Sequence, residues 1–260
     1  HNLMYLPSRS MAAVGDEVWV AQGYAPKISR LGADYSQASE IQVGPWPVSL
    51  AVTPDEGMVL VAQAGNDTLG FVDVEAGRLV DAVWVGDEPK EVVISSDGVY
   101  AYVSLATEGM VAKVDIAARE VTARFEAVRD ARALALTADG STLYVAGHRT
   151  GQAERYPYGE DPKDEERDIV VLDTSDGSLQ QTVMDLGNVL TDLVLDEANR
   201  RLLVSLTASF PSRGLTELST PPFESQLVSI DLATGTELAR HTLAPAEEGQ
   251  GYVLGIQAIE

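Results

Sequence analysis

Few residues of this chain combine a suitable side chain with a position in which it could bind a ligand or take part in catalysis. Of its three histidines, His1 is terminal and His241 lies in a stretch predicted as an outer strand, which leaves His148 as the best-placed ligand or general base. Its neighbour Arg149 could hold a carboxylate or a phosphate through two parallel hydrogen bonds. The alternatives are a structural, hydrogen-bonded histidine and an arginine that pairs with nearby acids.

Four further residues stand at the start of apolar runs or just before them. Trp46, in the turn-like stretch GPWPV, could stack on a ligand or could fill space between elements. Lys90, Arg132 and Asp192 occupy related positions at the beginning of three apolar runs. These four residues and the histidine–arginine pair are the predicted binding residues.

The motifs of common catalytic and cofactor sites are absent from the sequence. There is no phosphate-binding loop, no dinucleotide-binding glycine motif, no HExxH and no GxSxG. The chain has no cysteine, so it has no disulfide, no thiolate metal site and no CxxCH haem attachment. The acid-rich stretch 160–168 lacks the spacing and the turn glycine of a calcium loop. We therefore predict no catalytic residue, no metal and no cofactor.

The charge of the chain limits its partners. With 40 acidic and 18 basic residues, the net charge is −22, which repels phosphate backbones and anionic lipid headgroups. We expect neither nucleic acid nor a membrane surface as a partner. No apolar run approaches the roughly 20 residues of a membrane-spanning helix. The arginine-rich, acid-heavy composition is common in secreted bacterial proteins, so we expect a periplasmic or extracellular location.

A repeat of 42 residues organises the elements that carry these side chains. The stretch VSLAVTPDEGMVLVAQAGNDTLGFVDV (48–74) returns 42 positions later as KEVVISSDGVYAYVSLATEGMVAKVDI (90–116), and a fainter copy begins at Arg132. An acidic turn marks three copies, at Asp55, Asp97 and Asp139. A second aspartate closes a later apolar run, at Asp73, Asp115, Asp173 and Asp231.

Each period contains four apolar runs of strand length. In the second copy they are Val48–Thr53, Val59–Ala64, Leu69–Val74 and Leu79–Val85, bounded by Gly, Pro, Asp or Asn. A repeated unit of about 42 residues with four strands is typical of a β-propeller blade, because stacked neighbours bury both faces of each sheet. A β-solenoid is the main alternative, but its coils are usually shorter.

The sequence therefore predicts an all-β fold, with a single β-propeller domain of four-stranded blades over residues 1–260. The blades are expected near 5–46, 47–88, 89–130, 131–189 and 190–250. The stretch GYVLGIQAIE (251–260) is predicted as the first strand of a sixth blade. Because a one-strand blade leaves an unpaired edge, we expect six or seven blades in a longer parent chain, or missing blades from a partner.

The repeats resemble the YVTN-type repeat of bacterial propellers. The resemblance rests on YVSLATEG, LYVAGHRTG, NDTLGFVDVEAG and VGDEPKEVVISSDG, and it covers about residues 10–250. It implies a propeller fold and three functional classes: a binding or scaffold module; a module of a periplasmic redox system beside a di-haem peroxidase-type cytochrome or a quinoprotein; and a lactonase- or lyase-like enzyme. We favour binding, because the second class needs a haem motif and the third needs carboxylates clustered with histidine.

Two insertions interrupt the repeat at the same place in adjacent blades. The connection from second to third strand lengthens at His148–Asp168 and again at Ser209–Ser225. In a propeller this connection opens on the face that also carries the blade-to-blade connections, and repeat insertions often collect on a binding face. The alternative is that they are solvated surface excursions. We expect this looped face to hold a protein partner or a small anionic ligand, because its cations and tryptophan stand out from an acidic body.

Overall fold

The computed structural model describes residues 9–147, 167–184, 186, 189–209 and 223–243, without the side chains at 37, 38, 207–209, 223 and 224. Within these ranges the chain forms twenty β-strands and one short 3-10 turn, Glu197–Asn199. This confirms the predicted all-β class. No helix in the described part of the chain has the length and apolar character needed to cross a bilayer.

The strands form five antiparallel sheets of four, and the strands of each sheet pair in chain order. The first sheet contains β1 (Met11–Val14), β2 (Glu17–Ala21), β3 (Lys27–Leu31) and β4 (Gln37–Gln42). The second contains β5 (Pro47–Val52), β6 (Met58–Gln63), β7 (Thr68–Asp73) and β8 (Arg78–Trp84). The third contains β9 (Pro89–Ile94), β10 (Tyr100–Leu105), β11 (Met110–Asp115) and β12 (Glu120–Glu126).

The fourth sheet contains β13 (Ala131–Leu136), β14 (Thr142–Gly147), β15 (Ile169–Asp173) and β16 (Leu179–Val183). The fifth contains β17 (Val189–Asp196), β18 (Arg201–Ser209), β19 (Phe223–Asp231) and β20 (Glu237–Thr242). The first strand of each sheet contacts the first strand of the next, from β1 to β5, β9, β13 and β17. The fold is thus a β-propeller of four-stranded blades, as predicted.

The apolar runs of the second, third and fourth blades are buried on both faces because each of these blades lies between two others. In β6, Leu60 and Ala62 belong to the core shared with the third blade, whereas Val59 and Val61 belong to the core shared with the first. All four side chains are fully buried. Each such aliphatic side chain contributes about 1–3 kcal/mol when it is removed from water. Stacking of neighbouring blades therefore stabilises every internal blade from two sides.

Aspartates that recur in the repeat begin the third-to-fourth-strand turns at one end of the blades, which we call the turn face. Asp73, Asp115, Asp173 and Asp231 each end the third strand of a blade and accept a backbone N–H of the following turn. Their predicted placement is confirmed. The opposite end carries the second-to-third-strand and blade-to-blade connections and is called the looped face.

The structure corrects the limits of both insertions. β18 and β19 remain paired as far as Ser209 and Phe223, so Ser209 and 223–225, assigned to the second insertion, belong to strands. Asp168, assigned to the first insertion, is buried at the start of β15 and accepts the backbone N–H of Leu186. The proposed blade limit at residue 250 and the expected strand 251–260 lie outside the described residues.

Candidate functional site

The blade-to-blade connections of the looped face share an unusual backbone. Trp46, Glu88 and Asp130 are 42 residues apart, and each directly precedes the innermost strand of its blade. All three are left-handed, with φ of 51°, 59° and 52°. This conformation costs a residue with a side chain about 1–2 kcal/mol. The repeat therefore keeps a strained corner at the same place in three blades, at the mouth of the central channel.

Lys90 and Arg132 lie two residues after two of these corners, and each sits at an irregularity of the strand ladder. Lys90 is 1% exposed, and its Nζ lies 2.6 Å from Glu88 Oε1. Arg132 is 8% exposed, and its Nε lies 3.1 Å from Asp130 Oδ1. Both residues were predicted as binding residues of the looped face, but their side chains are buried in ion pairs. A buried charge needs a counter-charge, and the corner residue supplies one in both blades.

Burial also lowers the pKa of the lysine. Desolvation lowers the pKa of Lys90 below its ordinary value, the hydrogen bond to Glu88 acts in the opposite direction, and the nearby Arg132 lowers it further. The two cations are therefore close enough to affect each other. They form one charged layer below the looped face, together with their two carboxylate partners.

Asp192 is buried on β17, but its structural equivalent in the third blade is Glu91. Asp192 pairs across the sheet with Ser205, and the strand ladder is irregular at the residue before it, Thr191. The ladder of the third blade has the same irregularity at Lys90, so the residue after Lys90, Glu91, is the equivalent of Asp192. Glu91 is fully buried and its backbone N–H donates to Ser104 Oγ. Sequence analysis missed Glu91, although its position one residue after Lys90 in the repeat is a usable signal.

Arg9 is the other residue that sequence analysis missed. It precedes β1, and its Nε lies 2.9 Å from Glu91 Oε1 of the third blade. Its Nη2 donates to Leu193 O at 3.0 Å and to Leu134 O at 3.4 Å, and lies 3.8 Å from Asp192 Oδ1. One side chain of the first blade therefore reaches the third, fourth and fifth blades inside the channel.

The aromatic groups of the looped face are accessible. Trp46 is 41% exposed. This exposure is intermediate between that of a residue that stacks on a ligand and that of a residue that fills space between elements, the two roles considered from the sequence. Tyr24, in the β2–β3 connection, is 80% exposed on the same face and was not singled out. His148 and Arg149 lie outside the described residues, so their predicted role stays a prediction.

Carboxylates also gather beside the channel. Burial raises the pKa of Asp87, and the charges of Asp67, Glu88 and Glu108 raise it further. Even so, no group of three or more His, Cys, Asp or Glu side chains within the described ranges has an arrangement that could hold a metal ion. The arrangement is suited to electrostatic recognition.

Comparison with known proteins supports the fold and leaves the function open. No family model matches the chain, and no curated protein sequence matches it significantly. Among solved structures, a chain of hydrazine synthase from Kuenenia stuttgartiensis matches with a TM-score of 0.77 and 20% identity, over 94% of this chain and 67% of that one. A functionally unknown protein from Desulfotomaculum acetoxidans matches with a TM-score of 0.64 and 12% identity, over 88% and 67%. At these identities the likeness is one of fold alone.

Proposed function

We propose that this propeller is a secreted or periplasmic binding module that holds a protein partner on its looped face. One observation carries the proposal: the two longest interruptions of the repeat follow the ends of β14 and β18, and both strand ends lie at the face where Trp46 and Tyr24 are exposed. Long connections and accessible aromatic side chains on one face are common features of binding surfaces. The resemblance to YVTN-type propellers supports the same class.

The charges favour a basic partner over the anionic ligand expected from the sequence. Around the channel, three cations (Arg9, Lys90 and Arg132) accompany four carboxylates (Glu88, Glu91, Asp130 and Asp192). Lys90 and Arg132 are buried in pairs, so they offer little attraction to an anion. The whole chain carries a net charge of −22. A basic surface would be attracted over a distance of about 8–10 Å at ordinary salt.

The test replaces Trp46 and Tyr24, two exposed aromatic residues of the looped face, together by alanine. The immobilised variant should no longer capture the protein that the parent captures from extracts of the producing cells, while its melting temperature stays nearly unchanged. Tyr35→Ala is the matched control, because Tyr35 is a 73% exposed aromatic residue on the turn face. Capture by the parent should weaken as salt is added.

Two results would contradict the proposal. Full capture by the double variant would move the binding site elsewhere, and a large loss of stability would mean that these residues are packing residues. Capture that persists at high salt would contradict the basic partner.

A second candidate is a propeller module of a periplasmic redox system, which the resemblance to YVTN-type propellers also implies. In that case the captured partner should show a haem absorption band, and a colourless partner would remove this candidate. A lactonase- or lyase-like activity has less support, because the described part of the channel contains carboxylates without a histidine beside them.

A further inference from the structure

The groups around Arg9 form a site whose chemistry suits a guanidinium. Two carboxylates, of Glu91 and Asp192, and two backbone carbonyl oxygens, of Leu134 and Leu193, converge on one side chain. A guanidinium is planar and has five N–H donors that point in different directions, so it can serve several acceptors at once. A lysine ammonium is a compact charge and cannot span the same set.

Burial makes this site demand a cation. Glu91 is fully buried and Asp192 is 6% exposed. An ionised carboxylate in such surroundings is costly unless a cation accompanies it. The neighbouring Lys90 extends toward Glu88, with 2.6 Å between Nζ and Oε1. Arg9 supplies a positive charge to Glu91, with 2.9 Å between Nε and Oε1.

Arg9 itself is held at some cost. Its φ is +41°, in the left-handed region, and one residue separates it from β1. Its carbonyl oxygen accepts the N–H of Leu50, and its side chain is 37% exposed. The left-handed conformation disfavours the state in which Arg9 occupies the channel by about tenfold. An arginine of a partner avoids this backbone strain, so the strain offsets part of the entropy that association costs.

We propose that the channel is a guanidinium-binding site, which Arg9 fills within the chain and which an arginine side chain of the partner fills in its place. The partner's part of this inference rests on the proposed function, since it requires a basic protein on the looped face. The existence of the guanidinium site in the channel does not depend on that function. Arg9 lies at the looped end of the channel, so the partner's arginine would enter from the face to which the partner binds.

The test uses Arg9→Ala and a defined probe, N-acetyl-arginine amide, in isothermal titration calorimetry. The variant should bind the probe at least tenfold more tightly than the parent, because its site is vacated. N-acetyl-lysine amide should bind at least tenfold more weakly than the arginine probe. Adding Glu91→Gln to the variant should abolish binding. Arg119→Ala is the matched control: it removes an arginine from an exposed ion pair with Asp81 and should bind no better than the parent.

A folded Arg9→Ala variant that does not bind the probe would overturn the proposal. If that variant does not fold, Arg9→Gln replaces it, and the Nε–H resonance of Arg9 is followed in the parent protein during titration with the probe. Displacement supports the site, and an unchanged resonance at saturating probe contradicts it. Failure of the proposed function is separable: probe binding by Arg9→Ala without any captured protein leaves the channel site standing and removes the partner.

Discussion

Gly77 and Gly177 occupy the same turn in two blades, and we expect alanine to be far less tolerated at the second. Both are left-handed, with φ of +60° and +76°, and both donate their N–H to the carbonyl of the aspartate that ends the third strand. A β-carbon on Gly77 would meet Arg30 Nη1 at 3.4 Å, which is ordinary contact with a flexible side chain. A β-carbon on Gly177 would lie 2.2 Å from Cδ1 of Phe125.

The expected magnitudes follow from these distances. Each substitution places alanine in the left-handed region, which costs about 1–2 kcal/mol. At Gly177 the added methyl group also displaces Phe125, a 4% exposed residue of the core shared by the third and fourth blades. Overpacking of this kind adds about 1–3 kcal/mol. Gly77→Ala should therefore cost about 1–2 kcal/mol and Gly177→Ala about 2–5 kcal/mol.

Urea unfolding of the two variants and the parent, followed by far-ultraviolet circular dichroism, measures the difference in free energy of unfolding. A double variant, Gly177→Ala with Phe125→Leu, separates the two contributions. The smaller leucine should relieve the contact, so the double variant should be more stable than the sum of the single effects predicts. Equal costs for both glycines, or strictly additive effects in the double variant, would refute the reasoning.

Three further outcomes are expected. Hydrogen bonds from the N–H of Ser141 and the hydroxyl of Thr137 lower the pKa of Asp139 from 3.8 to about 2; this stabilisation is present above pH 4 and is lost as the pH falls toward 2, so Asp139→Asn should flatten acid unfolding in that interval. Asp168→Ala should cost about 1–3 kcal/mol in urea unfolding, because the buried N–H of Leu186 loses its acceptor; no measurable cost would show that water replaces the carboxylate. Circular dichroism should show less than about a tenth helix, and a larger helical content would contradict the fold.

The repeat made the strands predictable, and their limits are displaced by a single residue. The predicted runs Leu69–Val74 and Leu79–Val85 correspond to β7, Thr68–Asp73, and β8, Arg78–Trp84. The sequence pattern begins at the first apolar side chain, whereas strand pairing depends on backbone hydrogen bonds and includes the polar residue before it. Apolar patterning shows which residues are buried and is less informative about where a ladder begins.

The candidate site was predictable only in part. The period placed Lys90 and Arg132 at the channel, but it did not show that the corner residue two positions earlier neutralises each of them. The contacts of Arg9 could not be predicted, for a different reason. Its hydrogen bonds to Leu134 and Leu193 join residues 125 and 184 positions apart. No local pattern or repeat spacing encodes a contact made across the centre of a ring.

The side chain of Arg9 also sets an order of events during folding. Each blade closes through contacts between strands that are near in sequence, so the blades should form early and one after another as the chain is synthesised. The hydrogen bond from Arg9 to Leu193 cannot form until the fifth blade has been made. Until then Arg9 can pair with Glu91 of the third blade, but it lacks its contacts with the fifth. Completion of the charged centre is thus a late step, and a chain interrupted before β17 would leave that step undone.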